Sequence, residues 1–195
     1  MIIIGLTGSI GMGKSTTAAM FKEENIAVHD ADTVVHDLYR HGALVDEIEN
    51  HFSGTKTPSG VDRKKLGQYV LNDKAAMKKL EALVHPHVRL AEEKFITDNR
   101  AKNAKIVVLD IPLLFETGGD KRVDKIIVVT APYEVQRKRV LSRAAMTEEK
   151  FQQILDRQIP DAEKRARADF LIDTSLGMDA AKTQVKNIIS QLLEG

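Results

Sequence analysis

An apolar run, a glycine-rich turn and a helix-forming stretch follow one another at the start of the chain, in MIIIGLTGSIGMGKSTTAAMF. No other segment limits the possible folds as tightly. Ile2–Thr7 lacks polar alternation, which suits a strand buried on both faces of a parallel sheet. Gly8, Gly13, Lys14 and Ser15 then match G-x-x-x-x-G-K-[ST], in the required context between strand and helix. The glycines let main-chain N–H groups converge on one anion, and the helix N-terminus adds partial positive charge. Lys14 supplies a full cation, and the Ser15 hydroxyl suits Mg²⁺. The pattern specifies bound phosphate. It leaves kinase, hydrolase and switch protein open.

Four further apolar runs resemble the first: Ile26–His29, Lys105–Ile111, Lys125–Ala131 and Asp169–Asp173. Helical patterns lie between them, which predicts an α/β fold built on a five-stranded parallel sheet. Two gaps exceed a simple crossover. Residues 33–103 show only helical patterns and turns, with a loop at SGTKTPSG (53–60) and a new helix expected at Pro86. Pro132–Ala168 is charged and helical. The last stretch, AAKTQVKNIISQLLEG, has apolar residues at helical spacing and is closed by Gly195.

A length of 195 residues fits one domain with inserted subregions. With no cysteine, disulfides, thiolate metal sites and a cysteine nucleophile are excluded. A net charge of +1 gives no global attraction to nucleic acid or anionic lipid. The apolar runs are too short to span a membrane or to form a secretory core. The expectation is a cytoplasmic protein with no nucleic-acid or membrane partner.

Asp30 and Asp32 stand where the second strand meets the next helix. In an open parallel sheet, ligands bind beyond the carboxyl ends of strands. A carboxylate there would face the phosphate loop if the two strands are neighbours, and would accept a proton from a substrate hydroxyl. The competing reading of Asp32 is a helix N-cap. Asp110, ending the third strand, is placed to orient Mg²⁺. Leu113, Leu114 and Phe115 follow it, as an apolar lip or as ordinary core. Arg139 and Arg143 share a helix face, either as a solvated surface or as a lid over polyphosphate. His85 and His87 in VHPHV lack helical metal-ligand spacing, so His85 is expected to pack or to touch substrate.

Taken together, GLTGSIGMGKST, DAD (30–32), DRKKLG, VHPHV, LDIPLLFE, VDKIIVV, QRKRVLSR and ARADFLID resemble the dephospho-CoA kinase family across nearly the whole chain. The resemblance implies a P-loop kinase that phosphorylates the ribose 3′-hydroxyl of dephospho-CoA with ATP and Mg²⁺. It implies a nucleotide-binding core at 1–32, 104–136 and 166–195, a helical CoA-binding insertion at 33–103 and a lid at 137–165. ATP would contact Gly8, Gly11, Met12, Gly13, Lys14, Ser15 and Thr16, with Ser15 and Asp110 toward the metal. Asp32 becomes the catalytic base, assisted by Lys14, Arg139 and Arg143. His85, Leu113, Leu114, Phe115, Glu116 and Asp32 would border the acceptor. The enzyme would be a monomer or small homo-oligomer. Ala144 and Thr174 depart from the pattern, which has aspartate and asparagine there.

Overall fold

The computed structural model describes residues 1–194. The first apolar run is strand β1 (Ile2–Thr7), and the glycine-rich turn leads into helix α1 (Lys14–Glu23). Strand β2 (Ala27–Asp30) is followed by α2 (Ala31–Leu38) and α3 (Ala43–His51). Two short strands, β3 (Lys56–Thr57) and β4 (Gly60–Val61), precede α4 (Arg63–Val70) and the long α5 (Lys74–Ala101). The chain continues through β5 (Ile106–Asp110), a 3-10 turn (Gly119–Arg122) and β6 (Lys125–Thr130). Helices α6 (Tyr133–Leu141), α7 (Glu148–Leu155) and α8 (Asp161–Ala166) lead to β7 (Phe170–Asp173) and α9 (Met178–Glu194). Gly195 lies outside the described residues.

The five apolar runs form one parallel sheet in the order β2-β5-β1-β6-β7. Because β5 lies between β1 and β2, the phosphate-loop strand and the strand ending at Asp30 are not neighbours, contrary to the condition set from the sequence. The register pairs Leu6 with Asp110 and Thr7 with Val128. Ile4, Leu6, Ile106, Val108, Ile127, Val129 and Ile172 form a core cluster with Met20, Phe21, Val185 and Ile188 from α1 and α9. The period-2 spacing of these strand residues places them on one sheet face.

The chain divides into two compact units. One holds Met1–His29 and everything from Asn99 on; the other is Asp30–Asp98. The second unit has its own apolar core of Leu44, Ile48, Phe52, Leu66, Val70, Leu80 and Val84. Its SGTKTPSG segment is a loop only in part, because Lys56–Thr57 and Gly60–Val61 pair as a small antiparallel hairpin.

Pro86 does not begin a helix; it lies inside α5. Proline there removes the main-chain bond to the Ala82 carbonyl, at a cost of about 3 kcal/mol. Leu80 and Val84 before it are buried in the second core, and Val88 after it is partly buried against the same cluster. Such side chains contribute about 1.5–3 kcal/mol each when fully buried, so the apolar stripe outweighs the defect. Pro86→Ala is expected to raise unfolding stability by about 1–3 kcal/mol, read from the urea midpoint. An unchanged or lowered midpoint would mean that the proline costs the helix nothing.

Candidate active site

The phosphate loop owes its shape to what lies behind it. A Cβ on Gly8 would come within 2.6 Å of the Val129 carbonyl oxygen, so only glycine lets the loop lie against β6. Gly13 caps α1 with a left-handed φ of 99°, a conformation that favours glycine. Helix geometry leaves the first N–H groups of α1 without intrahelical acceptors, and they carry the positive end of the helix dipole. The first helical bond runs from Thr17 N to the Gly13 carbonyl at 3.0 Å.

Lys14 forms an ion pair with Asp110 across the β1–β5 pairing. Their side chains are only 14% and 4% exposed, so a cation and a carboxylate meet where water screens them little. The Ser15 and Thr16 side chains beside them are exposed. Ser15 and Asp110 offer hard oxygen donors of the kind Mg²⁺ takes. Among the described residues no group of three or more His, Cys, Asp or Glu forms a metal cage.

A cavity of about 380 Å³ opens beside the loop, lined by Gly11, Gly13, Thr16, Met20, Arg139, Arg143, Thr174 and Met178. Both arginines on the α6 side therefore face one cavity with the loop. Arg139 donates to the Thr174 hydroxyl and to its carbonyl, each at 2.8 Å. The Thr174 hydroxyl in turn donates to the Met12 carbonyl at 2.7 Å. Threonine at this position thus ties the end of β7 to the loop and fixes one guanidinium in the cavity wall. Arg143 is exposed.

The segment after Asp110 is mostly packed interior. Leu114 is fully buried and Phe115 is 6% exposed, whereas Leu113 is 40% exposed. Leu114 is a core residue: a Cβ on Gly5 of β1 would lie 3.0 Å from its Cδ2. Phe115 lies beneath the Arg167 guanidinium at 4.1 Å from the ring centre. Glu116 pairs with Lys164, a lysine with no exposed side-chain surface, at 2.9 Å, and accepts from the Ile159 N–H at 2.9 Å. Of the residues expected to border the acceptor here, only Leu113 presents substantial surface.

Asp32 and His85 belong to the second unit. The N-cap of α2 is Asp30, whose side chain accepts from the Asp32 and Thr33 N–H groups at 3.0 and 3.1 Å. Capping therefore falls to Asp30. The Asp32 carboxylate, exposed in the first turn, has no hydrogen-bond partner within its unit. His85 is exposed on α5, and His87 is the member of VHPHV that finds a partner, Glu47, at 3.0 Å.

Burial pushes the Glu116 carboxyl up, but the close Lys164 ammonium and the Ile159 N–H outweigh it. The net effect holds its pKa below the ordinary value of 4.5. A lowered folded value means stability that is present above about pH 4.5 and lost as pH falls through the folded pKa. Glu116→Gln, which leaves a buried lysine unpaired, is expected to cost about 3–5 kcal/mol at neutral pH. Its stability should also fall less steeply than the parent's below that range. Parallel acid profiles in chemical unfolding would remove the pair from this role.

A dephospho-CoA kinase family model matches residues 2–179. A dephospho-CoA kinase of Mesorhizobium japonicum is 56% identical over 192 residues, covering 98% of this chain and 97% of the relative. A crystal structure of a Thermus thermophilus protein superposes with a TM-score of 0.82 at 32% identity, over 98% of this chain and 97% of that one. The dephospho-CoA kinase of Campylobacter jejuni gives 0.68 at 30% identity, over 99% and 98%.

Proposed function

The chain belongs to the dephospho-CoA kinase family, and from that premise we propose that it transfers the γ-phosphoryl group of ATP to the ribose 3′-hydroxyl of dephospho-CoA. The products are coenzyme A and ADP, and the reaction is the last step of coenzyme A synthesis. The observation that carries this reading is the family match over residues 2–179, since a phosphate loop by itself serves many reactions.

The chemistry asks the protein mainly to position and neutralise. Gly8, Gly11, Met12, Gly13, Lys14, Ser15 and Thr16 hold the phosphates of ATP. Lys14 is held in place by Asp110 and neutralises charge that moves toward the leaving ADP. Ser15 and Asp110 would hold Mg²⁺, which when bound would supply positive charge against the phosphates. Arg139, anchored on Thr174, lines the nucleotide cavity, and exposed Arg143 reaches the polyphosphate as the lid at 137–165 closes. Closure keeps water from competing for the phosphoryl group.

Asp32 accepts the proton of the 3′-hydroxyl. Two things support that role: its place in the DAD motif, and the capping by Asp30, which leaves the Asp32 carboxylate uncommitted within its unit. The insertion at 33–103 binds the acceptor, with His85 among its contacts and Leu113 the exposed member of the 113–116 segment. The enzyme works on small molecules in the cytoplasm, as a monomer or small homo-oligomer.

Incubation with ATP, Mg²⁺ and dephospho-CoA should add one phosphoryl group to the ribose, read by mass analysis. Phosphorylation of a nucleoside monophosphate in preference would replace this substrate assignment. Asp32→Asn should keep ATP affinity and lose about 10²–10⁴ in kcat, the usual worth of a positioned base. Near-normal turnover would remove Asp32 from that role. Lys14→Ala should weaken both ATP binding and turnover, and unaltered kinetics would count against the loop as the phosphate site.

A further inference from the structure

Ile10 stands midway along the phosphate loop, and both of its main-chain polar groups are gripped by glutamine side chains from distant sequence. Its carbonyl accepts from Gln136 Nε2 at 2.7 Å, across a sequence separation of 126. Its N–H donates to Gln158 Oε1 at 3.2 Å, across a separation of 148. Gln136 lies in α6, immediately before the lid segment, and is 4% exposed. Gln158 follows α7, near the segment's other end. A main-chain N–H only donates and a carbonyl only accepts, so each amide's orientation follows from its partner.

The contact is part of a close approach. The next residue, Gly11, has a φ of +78°, and a Cβ there would collide with Val140 and come within 3.1 Å of the Gln136 carbonyl oxygen. The loop is therefore seated directly on α6 and clipped from both ends of the lid segment. Loss of either hydrogen bond leaves a main-chain group of the loop without its partner, in the segment that must present its N–H groups to an anion.

We infer that Gln136 and Gln158 are positioning residues for phosphoryl transfer. They hold the phosphate loop in its ligand-binding shape and tie that shape to both ends of the lid. The inference rests on the reading of residues 8–16 as the ATP site. It assigns opposite polarity to two residues of one type: Gln136 must donate, and Gln158 must accept.

Glutamate substitutions separate the two. Gln136→Glu removes the donor and sets a carboxylate against the Ile10 carbonyl. Gln158→Glu keeps an acceptor for the Ile10 N–H. Both add one negative charge beside the same residue, at a buried position for Gln136 and a partly exposed one for Gln158, so the Gln158→Met comparison carries the test of polarity at equal burial. Gln136→Glu should lower kcat/KM for ATP about tenfold or more, and Gln158→Glu should stay within about threefold of the parent. Gln158→Met, which lacks the acceptor, should fall with Gln136→Glu, making Gln158→Glu the rescuing variant. The rise in unfolding temperature caused by ATP–Mg²⁺ should shrink in the two damaged variants.

A purely structural role would lower the unfolding temperature while the folded enzyme kept parental kinetics and the parental ATP shift; that result overturns the inference. Equal damage from the two glutamate variants overturns it too. If Gln136→Glu fails to fold, the Gln158→Met and Gln158→Glu comparison decides alone. A parent that shows neither phosphoryl transfer nor an ATP shift overturns the site reading itself. A working parent with parent-like variants overturns only the role of the two glutamines.

Discussion

The parallel pairing of β1 with β5, in the one register that sets Leu6 opposite Asp110, is what the site depends on. It delivers a carboxylate to the edge of the phosphate loop, where Lys14 meets it. A slip of one residue would turn Asp110 to the other face of the sheet and leave a poorly exposed lysine alone. A buried ion pair is weak evidence for stability, since desolvation offsets much of its attraction. Its contribution here is positional: the Asp110 carboxylate holds the Lys14 ammonium group at the loop.

Around that pair the structure repeats one device, in which polar side chains of distant sequence fasten the loop and its neighbours. Thr174 binds the Met12 carbonyl and receives Arg139. Gln136 and Gln158 take the two main-chain groups of Ile10. Lys164 and Glu116 join α8 to the segment that follows β5. Buried polar groups of this kind cost free energy when unpaired and specify geometry when satisfied. Glycines at 8 and 13 let the backbone come close enough for these contacts to form.

The second unit is organised differently. Its apolar cluster is built by helices and its tight turns by side-chain caps: Asp30 on α2, Asp62 on α4 and the Asp73 carboxylate at the start of α5. Pro86 shows how packing overrides a local rule. The same apolar stripe runs before and after it, and a missing main-chain bond is the smaller term. The aspartate pair at 30 and 32 shows local chemistry dividing labour, with the first carboxylate occupied in capping and the second not.

Much of this was legible in the residues themselves. Buried parallel strands must be apolar without alternation, so five Ile- and Val-rich runs announced the sheet. Anion binding at a strand-to-helix turn needs glycines, a lysine and a hydroxyl at set spacing, so the loop announced itself too. Strand order was not legible, because pairing partners are chosen by crossover geometry and packing, and β5 came to lie between β1 and β2. Nor was the burial of Lys164, which reads like any lysine in a charged helix, or the sorting of Leu113 from Leu114. Ile10 and its two glutamines are more than a hundred residues apart, and no local pattern marks a hydrogen bond across that distance. The sequence by itself determined the elements and the phosphate loop, because both follow from short-range periodicity and backbone sterics. Only the tertiary structure decided which polar side chains would hold that loop, because burial and partnership exist only once the chain has folded.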